Sequence, residues 1–140
     1  MEAYRHVVQY YETDKMGITH HSNYVRWMEE ARVDFLSQIG WPYAKLEEEG
    51  IVSPVMEVAV KYMKSSTFSD EIFITVSVSE LKMAKMRVTY AMMKKDGTPV
   101  CEASSLHAFM NQEGRPLILK RDFPDLFEKL SQYVVTETNN

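Results

Sequence analysis

Hydrophobic and polar residues alternate with two different periods along this chain, and each change of period marks a new structural element. Residues 4–11 alternate with a period of two, which predicts a first β-strand. From Tyr24 to Ile39, large apolar residues instead recur every three or four positions, which predicts an amphipathic helix. Ser22 or Asn23 is placed to cap the start of this helix, and Gly40 is placed to end it.

The second half of the chain returns to a period of two after Pro54. Alternating apolar residues predict four further strands, at residues 58–62, 72–79, 88–92 and 100–110. Asp96 and Gly97 form a pair that is typical of tight β-hairpin turns. Pro124 then opens a short amphipathic helix, because proline is favoured in the first turn of a helix.

The resulting order of elements is a strand, a long helix, four strands and a short helix, which predicts an α+β fold class. At 140 residues the chain is expected to form a single domain over residues 1–140. The long helix carries several aromatic residues, so we expect it to pack lengthwise on the sheet. The last residues, 136–140, are expected to fray.

Composition narrows the classes of protein to which this chain can belong. A hydrophobic fraction of 45% is typical of a globular protein, and a net charge of −4 gives no footprint for nucleic acid. No apolar run approaches the roughly 18–20 residues that span a bilayer, and residues 1–8 lack the apolar core of a signal peptide. The single cysteine, Cys101, is expected to be a buried thiol in a reducing compartment, so we predict a cytoplasmic protein.

The loop at residues 12–22 concentrates candidate chemistry just ahead of the long helix. It contains Asp14, Gly17 and the adjacent His20 and His21. A helix start offers free backbone N–H groups and the positive end of the helix dipole, so an acid and a histidine there suit attack on a polarised carbonyl. Two neighbouring histidines rarely bind one ion and no further ligand lies at a supporting spacing, so no metal is expected. His20 is expected to point away from His21.

Five residues of this region follow the spacing Tyr-x-x-x-Asp-x-x-Gly-x-x-x-His-x-x-Tyr, realised as Tyr10, Asp14, Gly17, His21 and Tyr24. This series resembles the signature of the hot dog-fold acyl-CoA thioesterases, in particular the 4-hydroxybenzoyl-CoA thioesterase group and its Tol–Pal-associated relatives. The resemblance implies a hot dog fold, a curved antiparallel sheet wrapped around one long central helix. It also implies a homodimer or homotetramer with the active site at the dimer interface.

The resemblance further implies roles for the residues of the loop. Asp14 would be a nucleophile that forms a mixed anhydride or a general base for water, and both roles stay open. His21 would be a catalytic or substrate-orienting residue, and its main-chain N–H would polarise the thioester oxygen. Tyr10 would orient Asp14 or line the acyl pocket, with a core-facing strand tyrosine as the alternative. Gly17 would allow the turn that brings the loop against the substrate.

Residues outside the loop are expected to play supporting roles. Lys82 and Lys85 lie near the nucleotide-binding turn of the family and are candidates for the phosphates of coenzyme A, since an acidic protein that binds a polyanion needs local positive charge. The pair Ser65-Ser66 replaces a Pro-Ala-type pair of many relatives and is expected to alter contacts with coenzyme A. On the helix, Glu30 and Arg32 are expected to form a surface or interface pair.

The sequence thus predicts an enzyme, an acyl-CoA thioesterase that hydrolyses an acyl or aroyl thioester to a free acid and coenzyme A. The carrier, coenzyme A or an acyl carrier protein, and the acyl chain stay open, and no separate cofactor is expected. The alternative is a non-catalytic acyl-CoA-binding module that senses its ligand on the same fold. A hot dog-fold hydratase or dehydratase is a third alternative, which the order of Asp14 and His21 disfavours.

Overall fold

A five-stranded antiparallel sheet forms the body of the protein in the computed structural model, which describes residues 1–135. The strands are β1 Tyr4–Val7, β2 Val55–Tyr62, β3 Glu71–Lys82, β4 Lys85–Lys94 and β5 Pro99–Ala108. They lie side by side in the order β1-β3-β4-β5-β2, so β1 and β2 are the two edges of the sheet. The fraying predicted for residues 136–140 lies outside the described residues.

Within residues 1–135, four α-helices accompany the sheet: α1 Asn23–Gln38, α2 Tyr43–Glu48, α3 Leu119–Asp122 and α4 Pro124–Ser131. The predicted long helix and C-terminal helix are confirmed, and Gly40 follows α1 with a φ of 87°, a conformation that ends a helix. The predicted α+β order of elements is confirmed as well. The Asp96–Gly97 turn joins β4 to β5, with Gly97 at a φ of 91°.

The core lies between α1 and the sheet. The apolar stripe of α1 is buried along its length and consists of Tyr24, Trp27, Met28, Ala31, Phe35 and Leu36. These residues share one side because an α-helix repeats every 3.6 residues. Alternate residues of the strands complete the core, among them Ile72, Ile74, Val78, Val88, Tyr90, Met92 and Val100. Register shifts in β2, β3 and β4 mark irregularities of the kind that bend strands, which lets the sheet curve around the helix.

The first strand is shorter than predicted. Alternation predicts a strand over residues 4–11, but β1 ends at Val7 and a 3-10 turn occupies Tyr10–Glu12. The cause is the buried side chain of Glu12, which accepts hydrogen bonds from the Gln9 N–H at 2.8 Å, His6 Nε2 at 2.8 Å and Trp27 Nε1 at 2.7 Å. An extended strand would hold Glu12 away from these donors, so the chain turns inward instead.

Glu12 is a buried acid that remains charged. Burial acts against the charge and would raise the pKa of the carboxyl group. The hydrogen bonds from Gln9, His6 and Trp27 outweigh burial and hold the pKa of Glu12 below its ordinary value. The folded state is therefore stabilised by the ionised form of this side chain.

Replacing Glu12 with Gln is expected to lower the free energy of unfolding by about 3 kcal/mol, because buried donors lose the charged acceptor that satisfies them. Urea unfolding at pH 7.5 is the measurement. Since the pKa of Glu12 is lower in the folded state, its contribution is present above the ordinary value of 4.5 and is lost as the pH falls through the folded value. The difference between wild type and variant should therefore shrink below about pH 4.5. Glu113→Gln, at an exposed position, is the control; an equal loss there would contradict the role of Glu12.

A second buried polar network joins α1 to the middle of the sheet and contradicts one prediction. Arg32 is only 9% exposed and does not pair with Glu30 at the surface; its Nη1 donates to Tyr90 Oη at 3.0 Å. The hydrogen bonds continue from Tyr90 Oη to Ser105 Oγ at 2.8 Å and from Ser105 Oγ to His107 Nε2 at 2.7 Å. Position 32 lies one helical turn from buried residues on both sides, so the helix carries it inward.

Burial, and then the charge of Arg32, lowers the pKa of His107 to about 4.

We expect acid to destabilise the protein through His107. Its pKa is lowered in the folded state, so the stability that its neutral form provides is present above the ordinary value of 6.5 and is lost as the pH falls toward 4. Between pH 7.5 and pH 5 this group alone should remove about 2 kcal/mol of unfolding free energy. Urea unfolding at both pH values tests this. His107→Gln should be less stable than wild type at pH 7.5 but lose less on acidification, whereas an unchanged acid loss in the variant would assign the sensitivity to other groups.

Candidate active site

The loop between β1 and α1 folds back on itself and carries the predicted site residues. Thr13 and Thr19 pair in an isolated antiparallel bridge, and the Asp14 N–H donates to Ile18 O at 2.9 Å. The Gly17 N–H donates to Asp14 O at 2.9 Å and closes a tight turn in which Gly17 has a φ of 80°. Side chains rarely tolerate that conformation, so Gly17 shapes the turn that carries Asp14.

Ser66, in the connection between β2 and β3, braces the other side of this loop. Ser66 is 1% exposed, and its carbonyl accepts the Thr19 N–H at 2.8 Å. Its hydroxyl lies 2.6 Å from Thr19 Oγ1 and 2.8 Å from Tyr24 Oη. The next residue, Thr67, donates through Oγ1 to Gly17 O at 2.6 Å. The side chain of Ser66 is therefore engaged inside the protein, where it ties the loop to α1.

Asp14 has one carboxylate oxygen held by the turn and the other free. Oδ1 accepts the Met16 N–H at 2.8 Å, which orients the side chain. Oδ2 has no hydrogen-bond partner among residues 1–135, and Asp14 is half-buried. A carboxylate oxygen in this state can attack an acyl carbon or take a proton from water.

The entrance of α1 provides the second part of the site. Ser22 occupies the N-cap position of α1, as predicted, but its side chain makes no capping hydrogen bond. The Asn23 side-chain amide donates to Glu12 O at 2.9 Å. The His21 N–H has no acceptor within residues 1–135 and lies at the positive end of α1. Tyr62 Oη donates to His21 O at 3.0 Å, and the two rings lie edge to face at 6.3 Å. The entrance therefore presents a free N–H donor beside an exposed imidazole, which suits stabilisation of an oxyanion.

His20 does not point away from His21, contrary to the prediction. The two imidazole rings stack with their centroids 4.2 Å apart and their planes 30° from parallel. Both residues are exposed. Opposite orientations hold for neighbours in an extended strand, whereas the chain turns here to enter α1.

Tyr10 lies at the surface and does not belong to a strand. It is 76% exposed, so the core-facing alternative is wrong. Its ring lies edge to face with Phe68 at 5.7 Å, and its hydroxyl makes no hydrogen bond to Asp14. Other large apolar residues exposed beside it on the loop are Tyr11 and Met16. No motif in the sequence marks Phe68 or Tyr62 as site residues, since each meets the loop only through the fold.

Lys82 and Lys85 are not brought to Asp14 within one chain. They pair across the β3–β4 hairpin, where both are exposed. The start of β3 lies beside the loop, since Asp70 O accepts the Val8 N–H at 2.9 Å. Lys82 is the last of the 12 residues of β3, so at about 3.3 Å per residue the strand separates it from the loop by roughly 35 Å.

Within the described part of the chain, no three His, Cys, Asp or Glu side chains gather closely enough to hold a metal ion. Cys101 is buried, as predicted, and burial raises the pKa of its thiol to about 11, so it is not a nucleophile. Among residues 1–135, no helix combines the length and the apolar character needed to cross a membrane.

Known proteins match this chain over most of its length. The family model of the Thioesterase-like superfamily matches residues 8–131. A protein of Aquifex aeolicus named "Putative esterase" is 36% identical over 107 residues, which are 76% of this chain and 83% of the relative. A protein of Bacillus subtilis named "Putative acyl-CoA thioesterase YneP" is 29% identical, over 84% of this chain and 86% of the relative.

Solved structures agree with these matches. The DHNA-CoA thioesterase of Staphylococcus aureus superposes with a TM-score of 0.88 at 29% identity, over 98% of both chains. The fold and the family predicted from the sequence are confirmed, and two of these similar proteins are named as thioesterases. The chain therefore belongs to the Thioesterase-like superfamily.

Proposed function

We propose that this protein hydrolyses acyl or aroyl thioesters of coenzyme A to a free acid and coenzyme A. The proposal is carried by one loop that holds both an Asp14 carboxylate oxygen and a His21 N–H without a hydrogen-bond partner among residues 1–135. The N–H would hold the thioester oxygen as it gains negative charge, while Asp14 attacks the carbonyl carbon or activates water. The names of two relatives, an acyl-CoA thioesterase and a DHNA-CoA thioesterase, support this substrate class. The proposed location is the reducing cytoplasm, where Cys101 stays a free thiol.

Asp14→Asn is expected to lower kcat by at least about 100-fold, because the amide can neither attack nor accept a proton from water. The amide oxygen can still accept the Met16 N–H, so the turn and the melting temperature should be preserved. Thiol release from a panel of acyl- and aroyl-CoA esters, followed with a chromogenic disulfide reagent, is the measurement.

Asp96→Asn is the matched control for this experiment. Asp96 also accepts a main-chain N–H two residues ahead, from Thr98 at 2.9 Å, but in the β4–β5 turn. The control should keep the wild-type rate. Near-normal turnover of Asp14→Asn would remove Asp14 from the mechanism, and saturable binding without turnover in the wild type would favour the ligand-sensing alternative.

We also propose that the working unit is a homodimer, or a tetramer built from such dimers, joined along β2. This strand is an edge of the sheet, so its outer backbone groups are unpaired within the described chain. Almost all of its residues are exposed, including the apolar Val55, Met56, Val58 and Tyr62. An exposed apolar edge strand is a ready partner for another copy of itself.

Antiparallel pairing of two β2 strands would bring distant parts of two chains together. Along the sheet, Val55 is aligned with His107, and Lys85 with the adjacent Ala108, so Val55 and Lys85 lie at the same end. Tyr62, which bonds to the site loop, lies at the other end of β2. In the dimer, Lys85 of the partner subunit would lie three strand spacings, about 14 Å, from Tyr62. This arrangement supports the predicted role of Lys82 and Lys85 in holding the phosphates of coenzyme A.

Val58→Glu is expected to separate the dimer, because residues near the two-fold axis face their own copies and two carboxylates would repel each other. Sedimentation should show a monomer at micromolar concentration, and kcat/KM should fall by about tenfold or more with the loss of the second chain. Thr75→Glu, at an exposed position on β3, is the control and should stay dimeric. A wild-type monomer with full activity would contradict the shared site.

A further inference from the structure

We propose that His20 is a positioning residue, which holds the entrance of α1 so that the His21 N–H is the donor left for the substrate. The inference rests on the proposed thioesterase function and adds a residue to its site. Its basis is the set of contacts that the His20 ring and backbone make with their neighbours. No part of the motif that relates this chain to its family includes this residue.

The first contact is made by His20 Nδ1. The Ser22 N–H donates to this nitrogen at 3.2 Å, and Ser22 Oγ lies 2.8 Å from it. A backbone N–H can only donate, so the contact with the Ser22 N–H requires a lone pair on Nδ1. The proposal therefore assigns to His20 the tautomer whose proton lies on Nε2.

The backbone of His20 is held at the same time. Its N–H donates to Glu12 O at 2.8 Å, and its carbonyl accepts the Asn23 N–H at 3.0 Å. Of the three successive N–H groups at residues 20–22, the first and third are thus bonded, and only the His21 N–H is free among residues 1–135. Removing the Nδ1 acceptor would free the Ser22 N–H in addition to the His21 N–H. The direction of each N–H group would then be less well defined.

The same ring also orients the imidazole of His21. No hydrogen bond within the described chain holds the nitrogens of His21, so its ring depends on packing against His20 at 4.2 Å and Tyr62 at 6.3 Å. The Nδ1 bond to Ser22 and the stack on His21 hold the same ring. We therefore expect the loss of the hydrogen bond to loosen the stack.

Three substitutions of His20 separate these contacts. His20→Ala is expected to lower kcat about tenfold with little change in KM, since the residue is exposed and is not proposed to touch substrate. His20→Asn should recover most of kcat, because an amide oxygen can accept the Ser22 N–H from a similar position. His20→Phe keeps an aromatic ring but no acceptor, and it should remain as slow as His20→Ala. Lys15→Ala, exposed on the same loop, is the control and should behave as wild type.

Two kinds of result with these variants would overturn the proposal. A wild-type kcat in His20→Ala, or recovery by Phe equal to that by Asn, would overturn the proposal. A fall in melting temperature that accounts for the lost activity in His20→Ala would also overturn it, since the role would then be structural.

A second measurement does not depend on activity. Long-range proton–nitrogen NMR correlations of the wild-type protein at pH 7.5 should show His20 as the Nε2–H tautomer. A proton on Nδ1 would overturn the proposal. If the wild type hydrolyses no thioester, or Asp14→Asn stays active, the proposed function fails, while the tautomer still decides whether His20 organises the helix entrance.

Discussion

The buried carboxylate of Glu12 is the contact on which the rest of the site depends. Its oxygens accept from Trp27 on α1 at 2.7 Å and from His6 on β1 at 2.8 Å. Its main-chain carbonyl accepts the His20 N–H at 2.8 Å and the Asn23 amide at 2.9 Å. Burying a charge is costly unless hydrogen bonds replace the lost water, so the residue can be buried only when these partners are in place. The packing of α1 and the path of the site loop are therefore formed together.

This coupling explains how a reactive site can lie on a loop and still be well defined. Most polar groups of the loop are used internally, in the Thr13–Thr19 bridge and in the contacts with Ser66. Among the groups of the loop that have no hydrogen-bond partner within residues 1–135 are one oxygen of Asp14 and the N–H of His21. Stabilisation of a developing charge is effective when the donor needs no rearrangement during the reaction, and a loop tied at both ends meets that condition.

Most of the fold could be predicted because buried residues recur with a different period in helices and in strands. The stripe of α1 and the alternating strands both follow from local spacing. The positions of Asp14, Gly17 and His21 on one loop follow from their spacing and the resemblance. That spacing includes Tyr10 as well, which the structure leaves at the surface.

The failures concern side chains whose environment is set by partners far away in the sequence. Glu12 and Arg32 are charged and look like surface residues, yet Trp27 and Tyr90 provide the hydrogen bonds that make their burial possible. The stacking of His20 depends on a change of chain direction, which an alternation rule does not contain. Periodicity indicates which face of an element is buried. The partner of each polar group on that face is decided by the fold as a whole.

The direction of the edge strand β2 explains how Asp14 can work together with lysines that lie far from it in the same chain. In one chain, Lys82 and Lys85 lie at the far end of the sheet from the loop. A two-fold axis across β2 reverses the second sheet, so in the proposed dimer the far end of one chain meets the near end of the other. In the monomer, the lysines that would bind the phosphates are far from the carboxylate that would act on the thioester, so they cannot neutralise each other as an ion pair. In the dimer, the lysines of one chain and the carboxylate of the other can still act on one extended substrate. The exposed β2 edge is, on this argument, part of the site rather than only a contact between subunits.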